Sequence, residues 1–160
     1  MTSHAISIRD FEPDSGMKAL LPGAQFGDCF VVTVTDETLD ARQAAERMFL
    51  RQAKWIAGLM KLRNLMVTPF GLKRPAHRKA LARESIGPFP VISETPQRLV
   101  AGFDDKHLDF RIVVDVTGGA GGRQVSATTL VKTNNSLGRV YLTIIMPFHR
   151  MIVPAMLRKI

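Results

Sequence analysis

The segment "KHLDFRIVVDV" at 106–116 constrains this chain more than any other. Leu108, Phe110, Ile112, Val114 and Val116 occupy one parity; His107, Asp109, Arg111 and Asp115 occupy the other, joined by Val113. Successive strand residues point to opposite faces. The segment is therefore a strand with one face on a core and one in water, which is the habit of antiparallel sheets. A chain holding such a strand needs partner strands beside it and an apolar layer over one face.

Both requirements are met nearby. "FPVISE" (89–94), "QRLVAGF" (97–103) and "RQVSATTLVKT" (123–133) read as strands, linked by "TP", "DD" and "TGGAGG". Links this short make neighbours antiparallel, so the four form a meander. "DCFVVTV", at about 28–35, reads as an earlier strand. Two helices follow it: "TLDARQAAERMFLRQ", with Asp40 as a cap, and "AKWIAGLMKLRNLMV", with Trp55, Leu59, Leu62 and Met66 in one stripe. The chain closes with "SLGRVYLTIIMPFHRMIVPAMLRKI", capped by Asn135 or Ser136. Leu137, Tyr141, Ile144, Ile145, Phe148, Ile152 and Met156 recur there at helical steps, and Pro147 and Pro154 are expected to kink it. The fold expected is α+β: an antiparallel meander curved around a long C-terminal helix, with two short helices after the first strand. Residues 1–16 are expected as a tail or lead-in, and 17–160 as a single domain.

Charge and cysteine content bound the chemistry. Lysine and arginine number 22 against 14 acids, a net +8, so the surface attracts polyanions. The densest cationic run is Lys73, Arg74, His77, Arg78, Lys79 and Arg83. It lacks interleaved aromatics and any DNA-binding spacing, so contact with an anionic membrane or a protein is as good a reading as nucleic acid. A solvated face is the plainer one. Cys29 is the single cysteine, which excludes an intrachain disulfide and a cysteine-cluster metal site. A cytoplasmic location is expected, since the N-terminus lacks the basic-then-apolar pattern of a secretory signal. The glycine loop at 117–123 lacks a phosphate loop's lysine and its strand-to-helix setting, and reads as a hairpin.

The stretch "DDKHLDFR" gathers three aspartates, a histidine and an arginine. Alternation explains it as the wet face of a strand and its turn. A metal would require further ligands to close the site, so no metal and no cofactor is expected. As acid–base candidates the chain offers His107, Asp109 and His149. As polar contacts for a bound molecule it offers Arg63, beside the Ile56/Leu59 face, with Tyr141 and His149 on the last helix.

"IGPFPVISETP", "DDKHLDFR", "TNNSLGRVYLTIIMPFHRMIV" and "LRNLMVTPFGL" resemble the family called domain of unknown function 2867, from about residue 20 to the C-terminus. The resemblance brings no assigned activity. It implies small free-standing bacterial proteins, with some relatives fused behind a short-chain dehydrogenase-like domain. The family's element order is also similar to the START-related helix-grip superfamily, whose cavities hold apolar ligands. Such sheets usually have more than the five strands counted here; either the fold is a reduced version, or residues 17–27 or 83–88 add a strand. The expected function is binding of a small apolar or amphipathic molecule between sheet and last helix. An enzyme acting on such a molecule, and a basic membrane or protein-interaction module, are the alternatives.

Overall fold

The computed structural model describes residues 6–9, 15–50, 61, 85–87, 89–119 and 121–160. Among the described residues seven strands form one antiparallel sheet: β1 (Ile6–Arg9), β2 (Phe26–Val34), β3 (Ser85–Ile86), β4 (Phe89–Glu94), β5 (Arg98–Asp104), β6 (Leu108–Gly119) and β7 (Gly122–Thr133). Their spatial order is β1-β2-β7-β6-β5-β4-β3. The helices described in full are α1 (Ser15–Leu20), α2 (Ala41–Leu50) and α3 (Ser136–Leu157). The architecture is the expected α+β one, with the meander running from β3 to β7.

The parity read from 108–116 sets the sheet's two faces. Ile112, Val114 and Val116 join Phe30, Val32, Val34, Leu99, Ala101, Val125 and Ala127 in the main core, under Ala41, Ala44, Ala45 and Met48 of α2 and Val153, Met156 and Leu157 of α3. Each fully buried Val, Leu or Met contributes about 1.5–3 kcal/mol. Val113, the one apolar residue on the polar parity, packs with Val100 and Leu130 beneath Met17 and Leu21. The outer face is therefore wet only outside the patch that α1 covers.

Local chemistry fixes the element ends. Asp40 and Gln43 form a reciprocal capping box: Gln43 N donates to Asp40 Oδ1 (2.7 Å) and Asp40 N to Gln43 Oε1 (3.2 Å). Of the two candidate caps for the last helix, Asn135 takes the role, its side chain accepting from Gly138 N at 3.0 Å. β6 and β7 join as a hairpin, Gly119 opposite Gly122, with Gly121 at φ +83°.

Three features depart from the sequence reading. The expected lead-in supplies β1, paired with β2 through Ile6–Val32 to Arg9–Cys29. Of the two segments named for an added strand, 83–88 supplies β3, whereas 17–27 carries most of α1 and the first two residues of β2. The last helix is far from fully enclosed: Gly138, Val153, Met156 and Leu157 are its buried residues, and Ile144 of the expected stripe is 40% exposed. The second expected helix, with Trp55, Leu59, Leu62 and Met66, lies outside the described residues.

Candidate functional site

Sheet register arranges the inner face in rows. Phe26, Val131, Phe110 and Phe103 form one row, Asp28, Thr129, Ile112 and Ala101 the next, and Phe30, Ala127, Val114 and Leu99 a third. The third row is fully inside the core. In the first row Phe26, Phe103 and Phe110 are only half-buried, and Phe89 closes an aromatic cluster with the last two, its ring centroid 5.1 Å from that of Phe110. Opposite, α3 lies over β2 and β7 and brings half-buried Tyr141, Ile145, Phe148 and Ile152. Apolar surface is thus incompletely covered toward the N-terminal part of α3, while its C-terminal end is sealed.

The middle row is where chemistry enters. Asp28 shares the parity of Phe26, Phe30, Val32 and Val34, so its carboxylate points to the apolar side. Thr129 sits directly opposite it on β7, and side chains so opposed stand about 5 Å apart at Cβ. From α3, His149 Nε2 reaches the carboxylate, 3.2 Å from Oδ1 and 3.0 Å from Oδ2. A single N–H cannot point at both oxygens, and the hydrogen-bond alignment is met at Oδ1. Phe26 meets the imidazole edge-on, centroids 6.4 Å apart. His149 and Asp28 keep 15% and 16% of their side-chain surface exposed.

Two oxygens in this row have no hydrogen-bond partner among the described residues: Asp28 Oδ2 and Thr129 Oγ1. Both are fully shielded from solvent, and Thr129 as a whole is 2% exposed. An unpartnered buried polar group costs about 1–3 kcal/mol, so native structures rarely keep one. Here the two belong to directly opposed residues of β2 and β7. The carboxylate accepts, the hydroxyl donates or accepts, and the imidazole can move a proton.

The other sequence candidates fall elsewhere. His107 lies in the β5–β6 turn, and Asp109 lies on the outer-face parity of β6. Both belong to the anchor of α3. Asn134 Nδ2 donates to Asp105 O (3.0 Å) and Asp109 Oδ1 (3.1 Å); Asn135 Nδ2 donates to Lys106 O (3.2 Å) and lies 3.0 Å from His107 Nδ1. Gly138 presses on the His107 carbonyl so closely that a Cβ would overlap it. "DDKHLDFR" and "TNNSLG" are thus two halves of one joint. Arg111 pairs with Asp104 (2.7 Å) rather than with its strand neighbour Asp109, and Arg98 grips Asp115 through two bonds of 2.6 and 3.0 Å. Among the described residues no three metal-binding side chains gather. Arg63 and the run Lys73, Arg74, His77, Arg78, Lys79 and Arg83 lie outside the described residues. Asp28 and Thr129 were missed, although a lone aspartate in phase with Phe26, Phe30, Val32 and Val34 is a readable anomaly.

The family described as "Protein of unknown function (DUF2867)" matches residues 20–156. No curated protein matches. Among solved structures, CalU16 from Micromonospora echinospora aligns over 96% of this chain and 92% of its own, at 11% identity and a TM-score of 0.30.

Proposed function

The chain belongs to the DUF2867 family, and for this member we propose a binding role: a small amphipathic molecule lies on the half-covered inner face between sheet and α3, its polar end in the Asp28–Thr129–His149 row. One observation carries this reading, the buried Thr129 hydroxyl without a hydrogen-bond partner among the described residues, directly opposite an Asp28 whose Oδ2 is met only by the His149 ring nitrogen, on an otherwise apolar face. With His149 drawn aside to open the two shielded oxygens, a ligand hydroxyl would donate to Asp28 Oδ2 and accept from the Thr129 hydroxyl, and an amine would donate to both. Its apolar body would lie against Phe26, Phe103 and Phe110. Burying roughly 200 Å² of apolar ligand surface is worth about 5 kcal/mol before the costs of association.

Because Asp28 accepts and does not donate, the head group is expected to be a donor. The test is a chemical-shift titration with decanol, decylamine, decanoate and decane, paired with native mass spectrometry of the freshly purified chain. Decanol and decylamine should perturb residues 26–30 and 127–131 at lower concentration than decane or decanoate, and Asp28→Asn should erase the preference for decylamine. Equal response to all four, or shifts confined to the outer face, would sink the reading.

An enzymatic reading has one supporting feature. His149 with Nε2 on a carboxylate has the layout of an oriented acid–base residue, and of the three acid–base candidates His107, Asp109 and His149 it is the one that faces the apolar side. His107 and Asp109 are engaged in the α3 joint, so such chemistry would rest on His149 and Asp28.

A further inference from the structure

The inner face does not account for the far side of α3. On a helix, positions 140, 144, 147 and 151 fall within about 60° of arc. They hold Val140, Ile144, Pro147 and Met151, and three of these are large apolar side chains left 55%, 40% and 59% exposed. This stripe lies opposite Gly138, His149 and Met156, the residues turned to the sheet. Large apolar side chains aligned on one exposed face mark a contact surface. By length and composition α3 is apolar enough to cross a membrane, with a mean hydropathy of 1.5 over an 18-residue window of which only 17% is buried. A core helix of a soluble domain would be mostly enclosed. Its opposite side is packed on β2 and β7, so this helix lies along a surface and does not pass through one.

Charge selects the kind of surface. From 136 to 160 the chain has no aspartate or glutamate, and it has four cations, Arg139, Arg150, Arg158 and Lys159. All four are exposed. Arg139 and Arg150 flank the stripe on one side, together with Thr143. Among the described residues neither arginine reaches a carboxylate. We propose that this face of α3 docks on an anionic membrane surface, Val140, Ile144, Pro147 and Met151 entering the acyl boundary while the arginines meet lipid phosphates. A second copy of the chain fits less well. An antiparallel two-fold contact across this stripe sets arginines against arginines, and α3 carries no acid to answer them.

The test is co-sedimentation of the full chain with vesicles of phosphatidylcholine alone and of phosphatidylcholine mixed with phosphatidylserine. Binding to the mixed vesicles should be roughly tenfold tighter or more and should weaken as salt shortens the screening length. Ile144→Ser with Met151→Ser should cut binding about tenfold at unchanged Tm. Arg139→Gln with Arg150→Gln should remove the preference for phosphatidylserine. The proposal is overturned by absence of binding to either vesicle. It is equally overturned if the serine pair binds like the parent, which would leave the attraction to the 73–83 run. A third overturning result is self-association that the serine pair abolishes without any lipid binding. Ligand response in the shift titration is read separately, so failure here leaves the inner-face reading standing.

Discussion

Replacing Thr129 by valine tests the site in its simplest form. The two side chains fill nearly the same volume, and Thr129 is 2% exposed, so packing is preserved and only the hydroxyl is exchanged for a methyl. At a position where the hydroxyl is satisfied, the change removes a hydrogen bond and costs about 1 kcal/mol. Here Oγ1 has no partner among the described residues, and the sign reverses. Relief of an unpaired buried hydroxyl is worth about 1–3 kcal/mol, of which the low end is used here. A gain of about 1 kcal/mol raises Tm by roughly 2–4 °C in a chain of this size. The assay is urea and thermal unfolding of parent and Thr129→Val, each with and without decanol. The ligand-free variant should be the more stable protein, and decanol should stabilise it less than the parent, because the hydroxyl that greets the ligand is gone. If valine instead destabilises the ligand-free chain by about 1 kcal/mol or more, Thr129 already has a partner, and the case for a polar subsite falls.

Two further outcomes follow from the framework. Gly138→Ala places a Cβ against the His107 carbonyl; overpacking of this kind costs about 1–3 kcal/mol, so unfolding in urea should show the loss, and an unchanged midpoint would mean that α3 does not seat there. Asp36 is held below its ordinary pKa of 3.8, first by the Thr38 hydroxyl and then by Arg47, whose guanidinium lies 2.9 Å away. A depressed carboxyl pKa stabilises the fold fully above pH 3.8 and loses that contribution as pH falls through the lower folded value. The stability gap between parent and Asp36→Asn should therefore close on acidification below pH 3.8, and a gap independent of pH there would contradict the pairing.

How much was legible depended on the kind of information each residue carries. Parity along 108–116 gave the two faces of β6 without any knowledge of its neighbours, because side-chain alternation is a local property of extended backbone. Short links gave the meander for the same reason, and Asp40 and Asn135 were readable as caps because capping bonds span only three residues. β1 was hidden, since a four-residue strand carries too little pattern to stand above its surroundings, and β3 was reached only as one of two segments where a further strand would arise. The functional reading of "DDKHLDFR" illustrates the opposite limit. Its residues look like chemistry in one dimension, yet Asp109 and His107 are spent on Asn134 and Asn135, some 25 residues away, in holding a helix.

The sequence by itself determined that Asp28 lies on the apolar parity of its strand and that α3 carries no acid to balance its arginines. Only the tertiary structure decided that His149, 121 positions further on, comes down over that aspartate, that Thr129 stands beside it, and that Val140, Ile144 and Met151 are left uncovered. The reason is geometric. Backbone periodicity fixes the face on which each side chain lies, whereas the residue it meets there depends on how separate elements pack, and no local pattern encodes that.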